Sequence, residues 1–157
     1  MPLLITSHKT PVGTLNLLAD DQILIGANLS TVSAFKAGSD VKVVKSIPVI
    51  SDLIKDYFDG DLTALNGIQV RQPGAAFSQA AWKAMRKIAP GKTWSYSDLA
   101  EKAGSPAAVR AAGSACANNA IMLVVPCHRV LKTGGALGNY AYGVEKKQWL
   151  LSHEGFL

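Results

Sequence analysis

The stretch that most restricts the fold of this chain lies about two thirds of the way along it. From Ala107 to Ala117, nine of eleven residues are alanine, glycine, serine or cysteine, and only Val109 and Arg110 interrupt them. Alanine is the strongest helix former, and a helix with such small side chains can come very close to another surface. It cannot fill a core alone, so larger residues from neighbouring elements must close around it. Ser105-Pro106 reads as an N-cap and first-turn proline, which predicts a helix over residues 106–117. Just upstream, Ser95-Tyr96-Ser97-Asp98 has the form of a capping box and predicts a short helix running to about Ala103. With Gly104 between them, the two helices make a helix-turn-helix. Helical spacing places Val109, Ala112, Gly113 and Cys116 against the protein, with Arg110, Ser114 and Ala117 on a neighbouring face. Tight helix packing is the commoner use of such a helix. A single long cation on a flat face without acids favours a nucleic-acid surface.

Charge supports that choice. The net charge is +5, but residues 1–75 carry net −1 and residues 76–157 net +6. No acidic residue lies between Glu101 and Glu145, whereas Lys102, Arg110, Arg129 and Lys132 do. A one-sided positive field suits a polyanion, because neutralised phosphates release counterions. Charge alone serves a merely basic surface equally well.

The 157-residue chain is long enough to bury a core, and its 48% hydrophobic and 17% charged content argues against disorder or a coiled coil. No apolar run approaches membrane-spanning length and no secretory signal is visible, so a chain that is not secreted and not membrane-bound is expected. Two cysteines, Cys116 and Cys127, exclude a disulfide framework. The expected fold is α+β, a small N-terminal α/β subdomain over residues 1–74 and a mostly helical C-terminal one over 75–157, divided at Pro73-Gly74. The first should hold strands near residues 3–7, 13–19 and 22–29, a turn at Asp20-Asp21, a helix Ile50–Phe58 ended by Gly60, and a further strand within 67–70. The second should begin with a helix carrying Phe77, Ala81, Ala84, Met85 and Ile88, and end with a helix Val144–His153 stopped by Gly155. Between them, residues 121–125 read as a buried strand or extended segment.

Cys127 is the main candidate for chemistry. A thiol needs a base or positive surroundings to become a nucleophile at neutral pH, and His128 and Arg129 adjoin it. Neighbouring side chains on an extended backbone point apart, so a direct Cys–His bond requires a bend; otherwise the base acts through a water. A small buried hydrophobe is the plain alternative for Cys127. Cys116, Cys127, His128 and His153 lack zinc-ligand spacing, and no metal is expected. Gly91-Lys92-Thr93 lacks the leading glycine of a phosphate loop, Arg86 standing there, and is read as a turn. His8 is read as surface decoration.

Pro126-Cys127-His128-Arg129-Val130 resembles the O6-alkylguanine-DNA alkyltransferases, as do Gly138-Asn139-Tyr140, Trp149-Leu150-Leu151-Ser152-His153-Glu154-Gly155 and Arg110 on the alanine-rich helix. The resemblance covers residues 77–157 well. Thr10-Pro11-Val12-Gly13-Thr14-Leu15 and Tyr57-Phe58-Asp59-Gly60 are weaker marks of it in the first half. It implies DNA repair by direct reversal: Cys127 accepts the alkyl group from guanine O6 of double-stranded DNA, once and irreversibly, with O4-alkylthymine left open as a second lesion. By the same resemblance His128 deprotonates Cys127 through a water, Glu154 orients His128, Tyr96 donates to guanine N3, and Asn119 ties the recognition helix to the active-site segment. Val130 offers its carbonyl to the exocyclic amine, Tyr140 and Ala141 wall the pocket, and Ala141 N–H lies near O6. The helix-turn-helix enters the minor groove and the damaged nucleotide is flipped out, Arg110 filling its place while Ala111 and Ser114 permit close approach. Ser78, Ser97, Ser105 and Thr133 fall at positions that contact the DNA backbone.

Two departures stand out. Tyr142 occupies a place where glycine is usual, which suggests a pocket narrowed against bulky adducts. Cys116 adds a second thiol, read as packing. No cofactor is implied. The resemblance suggests a monomer located in a prokaryotic cytoplasm, or in the nucleus of a eukaryote, and leaves cooperative binding along DNA open. Three rivals remain: a non-enzymatic lesion-binding relative, against which the presence of Cys127 argues; a Cys-His hydrolase, which would turn over many times; and a helix-turn-helix regulator.

Overall fold

A computed structural model describes residues 2–132 and 134–157, which divide into two compact units. The first holds the chain up to Gln72 together with Ala120–Val124, and the second holds Pro73–Asn119 and Val125–Leu157.

The first unit is built on a five-stranded sheet. Strands β1 (Leu3–Thr10), β2 (Gly13–Asp20) and β3 (Ile23–Asn28) form an antiparallel meander. β4 (Val41–Val43) pairs parallel to β1, and β5 (Gln69–Val70) pairs parallel to β3, giving the order β4-β1-β2-β3-β5. The turn at Asp20-Asp21 forms as expected, Asp21 taking a positive φ of 54°. Of the expected last strand over 67–70, Gly67 instead ends a 3-10 turn (Ala64–Gly67) and only Gln69–Val70 form β5, while β4 is three mostly exposed residues, too short to stand out in the sequence. Helix α1 (Ile50–Phe58) has its expected bounds. It buries Ile50, Ile54 and Tyr57 at i, i+4 and i+7, the period of one helical face. Residues 121–125 are fully buried, but only Ile121 pairs, in a single bridge to Ala27, and Leu123 turns the chain with φ 74°. They form an apolar plug rather than a strand. His8 is not decoration: it is half-buried and its Nε2 lies 2.8 Å from the Ser51 hydroxyl, which also accepts the Ile47 N–H.

The second unit is a helical cluster. Helix α2 (Ala76–Met85) packs on α3 (Tyr96–Lys102) and α4 (Val109–Ala117), while β6 (Trp94–Ser95) and β7 (Val130–Leu131) pair in parallel. The capping box forms as read: Ser95 Oγ accepts the Asp98 N–H at 3.0 Å and the Asp98 carboxylate accepts the Ser95 N–H at 2.9 Å. Helix α4 begins later than expected. Ser105 is not its N-cap; residues 105–108 make a separate turn closed by Ala108 N–H to Ser105 O at 2.9 Å. The buried stripe is also rotated, with Ala112 and Ala115 fully buried and Val109 exposed. Trp82 sets this phase. Its buried indole N–H needs an acceptor, and it takes the Ala115 carbonyl at 2.9 Å, one of the last four carbonyls that a helix leaves unpaired. Helix α5 (Val144–His153) keeps its expected bounds, with Gly155 at φ 88° beyond it.

Replacing Ser95 by alanine removes one half of the capping box and leaves an orphan N–H on α3. A loss of about 1 kcal/mol is expected, seen as a lower denaturation midpoint with an unchanged m-value.

Candidate active site

The backbone at Cys127 is bent, as a Cys–His pairing requires. Pro126 sits at φ −83°, ψ 68°, an inverse γ-turn that brings the Cys127 N–H to Val125 O at 2.8 Å. Cys127–Arg129 then continues as one 3-10 turn. Val125 O also accepts Asn119 Nδ2 at 2.8 Å, so the end of α4 and the cysteine turn converge on one oxygen.

Three buried side chains lock the next residues. Glu154, at the C-cap of α5, places Oε2 2.8 Å from His128 Nε2 and 3.0 Å from Arg129 Nη2, while Oε1 accepts Arg129 Nε at 2.8 Å. Arg129 Nη1 donates to Ile88 O at 2.6 Å, beyond the end of α2. Burial would raise the Glu154 carboxyl, but the His128 contact and then the Arg129 guanidinium outweigh it and hold the group well below the carboxylate range. Burial lowers His128, and the Glu154 contact that would raise it does not compensate. The imidazole is therefore neutral. A carboxylate can only accept, so the ring proton is on Nε2 and Nδ1 keeps a basic lone pair. Nδ1 is buried with no hydrogen-bond partner among the described residues. The turn between α2 and β6 closes tightly on this network: a Cβ at Gly91, which has φ 83°, would lie 2.9 Å from Glu154 O.

Cys127 is half-buried. Burial pushes its thiol up, opposed by a hydrogen bond from Asn119, the charge of Lys147 and its own backbone. Cys116 is pushed up to about 12 by burial and then by Cys127, with only Lys147 opposing. Burial thus raises both thiols, and more of the surroundings oppose it at Cys127 than at Cys116. Tyr96, the first residue of α3, stays protonated because burial, then Cys116 and Cys127, raise it. A Cβ on Gly138 would lie 3.7 Å from the Tyr96 hydroxyl, so the glycine-rich loop runs close over that donor.

Lys147 is the functional residue the sequence reading missed. It is 1% exposed, and its Nζ donates to Val130 O at 2.9 Å and Asn139 O at 3.4 Å. A signal was present: Lys147 lies on the same helical face as Leu150, Leu151 and Glu154, at i+3, i+4 and i+7. The carbonyl of Val130 thus already accepts one hydrogen bond and retains a second lone pair. Tyr140 and Tyr142 meet edge to face, ring centroids 5.7 Å apart, with Ala141 exposed between them.

Arg110, Ala111 and Ser114 are exposed on α4, and Ser97 is exposed on α3. Ser105 is half-buried in the turn between those helices and Ser78 half-buried in the first turns of α2. Thr133 lies outside the described residues. Among the described residues, no three His, Cys, Asp or Glu side chains are grouped to hold a metal, and no helix is long and apolar enough to cross a membrane.

The family description "6-O-methylguanine DNA methyltransferase, DNA binding domain" matches residues 76–156. A methylated-DNA–protein-cysteine methyltransferase of Shigella flexneri is 35% identical over 94% of this chain and 93% of its own length. One from Salmonella typhimurium is 44% identical over 69% of this chain and 63% of its own. The crystal structure of Mycobacterium tuberculosis OGT in complex with DNA superposes with a TM-score of 0.86 at 30% identity, covering 97% of this chain and 92% of that one.

Acid should destabilise the protein in two stages. The unfolded chain binds a proton on His128 below about 6.5 that the folded one resists, so stability falls first there. Below about 4.5 the unfolded chain also protonates Glu154 while the folded carboxylate stays ionised, and a further loss follows as pH drops. In Glu154→Gln the lower stage should disappear from a pH series of denaturant melts. Stability at neutral pH should fall by about 3–5 kcal/mol, because Arg129 is left buried without its partner.

Proposed function

The chain belongs to the 6-O-methylguanine DNA methyltransferase family, and from that premise we propose that it repairs O6-alkylguanine in duplex DNA by transferring the alkyl group to Cys127. The observation that carries the reading is the neutral His128, fixed through Nε2–H by Glu154, next in the chain to a thiol that burial raises and that Asn119 and Lys147 partly bring back. His128 takes the thiol proton at Nδ1 through a water. The thiolate attacks the alkyl carbon, the new S–C bond forms as the C–O6 bond breaks, and the electron pair leaves with the purine. Tyr96, kept protonated, donates to guanine N3, so the base departs neutral rather than as an anion. This is triad logic with a water inserted. A thioether has no hydrolytic exit, so each molecule acts once.

Binding is assigned to the helix-turn-helix of α3 and α4. Arg110, on the exposed small-residue face of α4, takes the place of the flipped nucleotide, while Ala111 and Ser114 allow the helix to sit deep in the minor groove. Ser78, Ser97, Ser105 and Thr133 are assigned to phosphate contacts. Val130, Tyr140, Ala141 and Tyr142 line the base pocket, the Tyr142 ring narrowing it against benzyl-sized adducts; faster benzylguanine labelling of Tyr142→Gly is the check. The protein acts as a monomer in the cytoplasm, on double-stranded DNA and without a cofactor.

Incubation with a duplex holding one O6-methylguanine should add one methyl to the Cys127 peptide, saturating at one per chain and absent from Cys127→Ala. An unmodified Cys127 with tight lesion binding would replace this reading with lesion recognition alone, and repeated turnover would replace it with a hydrolase. Arg110→Ala should slow repair of the duplex far more than reaction with a free base analogue. Equal losses on both would remove Arg110 from the flipping step.

A further inference from the structure

Helix α4 stops where it does because of a side chain from another helix. In a continuing α-helix the Asn119 N–H would donate to Ala115 O, four residues back. The residue before it follows that rule, Asn118 N–H reaching Ser114 O at 2.9 Å. The Ala115 carbonyl, however, accepts the indole N–H of Trp82 at 2.9 Å, and the Asn119 N–H lies 3.4 Å from Cys116 O, three residues back. The last turn tightens to that shorter range and the helix ends. Asn119 is left outside it, with Nδ2 2.8 Å from Val125 O, the oxygen that also receives the Cys127 N–H at 2.8 Å. Trp82 is held for this contact. It is buried on α2, and its six-membered ring lies against Gly74, where a Cβ would come within 2.6 Å of Cη2 and 2.7 Å of Cζ3. An indole N–H can only donate, and once buried it must find an acceptor. The fully buried Ala115 offers only a methyl group between the ring and the helix backbone.

We propose that Trp82 is a positioning residue for the nucleophile: by occupying Ala115 O it ends α4 at Ala117 and turns the Asn119 side chain onto the carbonyl that holds the Cys127 turn. The inference rests on Cys127 being the alkyl acceptor. It gives α2 a part in the transfer that Ser78, assigned to the DNA backbone, does not cover. Asn119 also hydrogen-bonds Cys127 against what burial does to the thiol, so a displaced Asn119 is felt in the reactivity of the sulfur as well as in the shape of the turn.

A double-mutant cycle of Trp82→Phe with Asn119→Ala separates this role from simple packing. The Cys127 peptide, followed by mass spectrometry apart from Cys116, reports two reactions: methyl transfer from a saturating duplex holding O6-methylguanine, and alkylation by iodoacetamide, in which the thiolate displaces iodide without DNA. Each single variant should slow both reactions about tenfold, and the double variant should stay near tenfold, where independent losses would multiply to about a hundredfold. The same cycle with β-(3-benzothienyl)alanine at position 82 keeps the ring outline against Gly74 and replaces the N–H by sulfur. It gives the answer if Trp82→Phe does not fold. Multiplying losses in the double variant would overturn the inference and leave Trp82 a packing residue, as would variants at position 82 that react at the unsubstituted rate. A loss with the duplex and none with iodoacetamide would also overturn it, since Trp82 would then act on DNA binding alone. If the unsubstituted protein accepts no methyl group from DNA, the repair reading falls, and the iodoacetamide cycle still decides whether Trp82 acts on Cys127 through Asn119.

Discussion

The carboxylate of Glu154 organises the second unit. A charge with no solvent exposure must be paired and hydrogen-bonded or it will not stay charged, and here three N–H groups surround two oxygens. One belongs to His128 and two to Arg129, whose remaining nitrogen holds the chain beyond α2 through Ile88 O. The C-cap of α5, the cysteine turn and the segment after α2 are therefore fixed by a single anion. That anion also sets the imidazole tautomer, and with it which nitrogen can accept a proton. Structure and reactivity are here the same set of bonds.

Lys147 is the second fixed point, and it acts differently. Its ammonium is buried against two backbone carbonyls rather than a carboxylate, so its charge is not cancelled where it sits. That charge is left to act on the two thiols. Cys127 has further help, from Asn119 and from the backbone of its own turn, which Cys116 lacks. Two half-buried thiols in one neighbourhood thereby meet unequal opposition to what burial does to them.

Helix α4 couples this centre to the surface assigned to DNA. Its inner stripe is Ala112 and Ala115, its outer face Arg110, Ala111 and Ser114, and its end is tied by Asn119 to the carbonyl that receives the Cys127 N–H. The small inner residues let α2 approach until Trp82 reaches the helix backbone. A larger residue at Ala115 would push Trp82 away and break that bond. The helix end, and with it the position of Asn119, would move too.

What was legible in the sequence was whatever depends on neighbours along the chain. The capping box at Ser95 and the bounds of α1 and α5 follow from local hydrogen bonding and from a 3.6-residue period, and the motif around Cys127 carried the family. The start of α4 is not legible in the sequence, because Ser105-Pro106 satisfies the rules for a helix start just as well as for the isolated turn it makes. Its phase was decided by Trp82, distant in sequence, whose indole needed an acceptor. Lys147 looked like one more cation on a surface helix; only packing put its ammonium on Val130 and Asn139. His8 likewise found Ser51 across the first unit. The types of residue and their short-range grammar thus came from the sequence. Which nitrogen of His128 is basic, what opposes burial at Cys127 and which charge is buried came from partners that only the folded chain brings close.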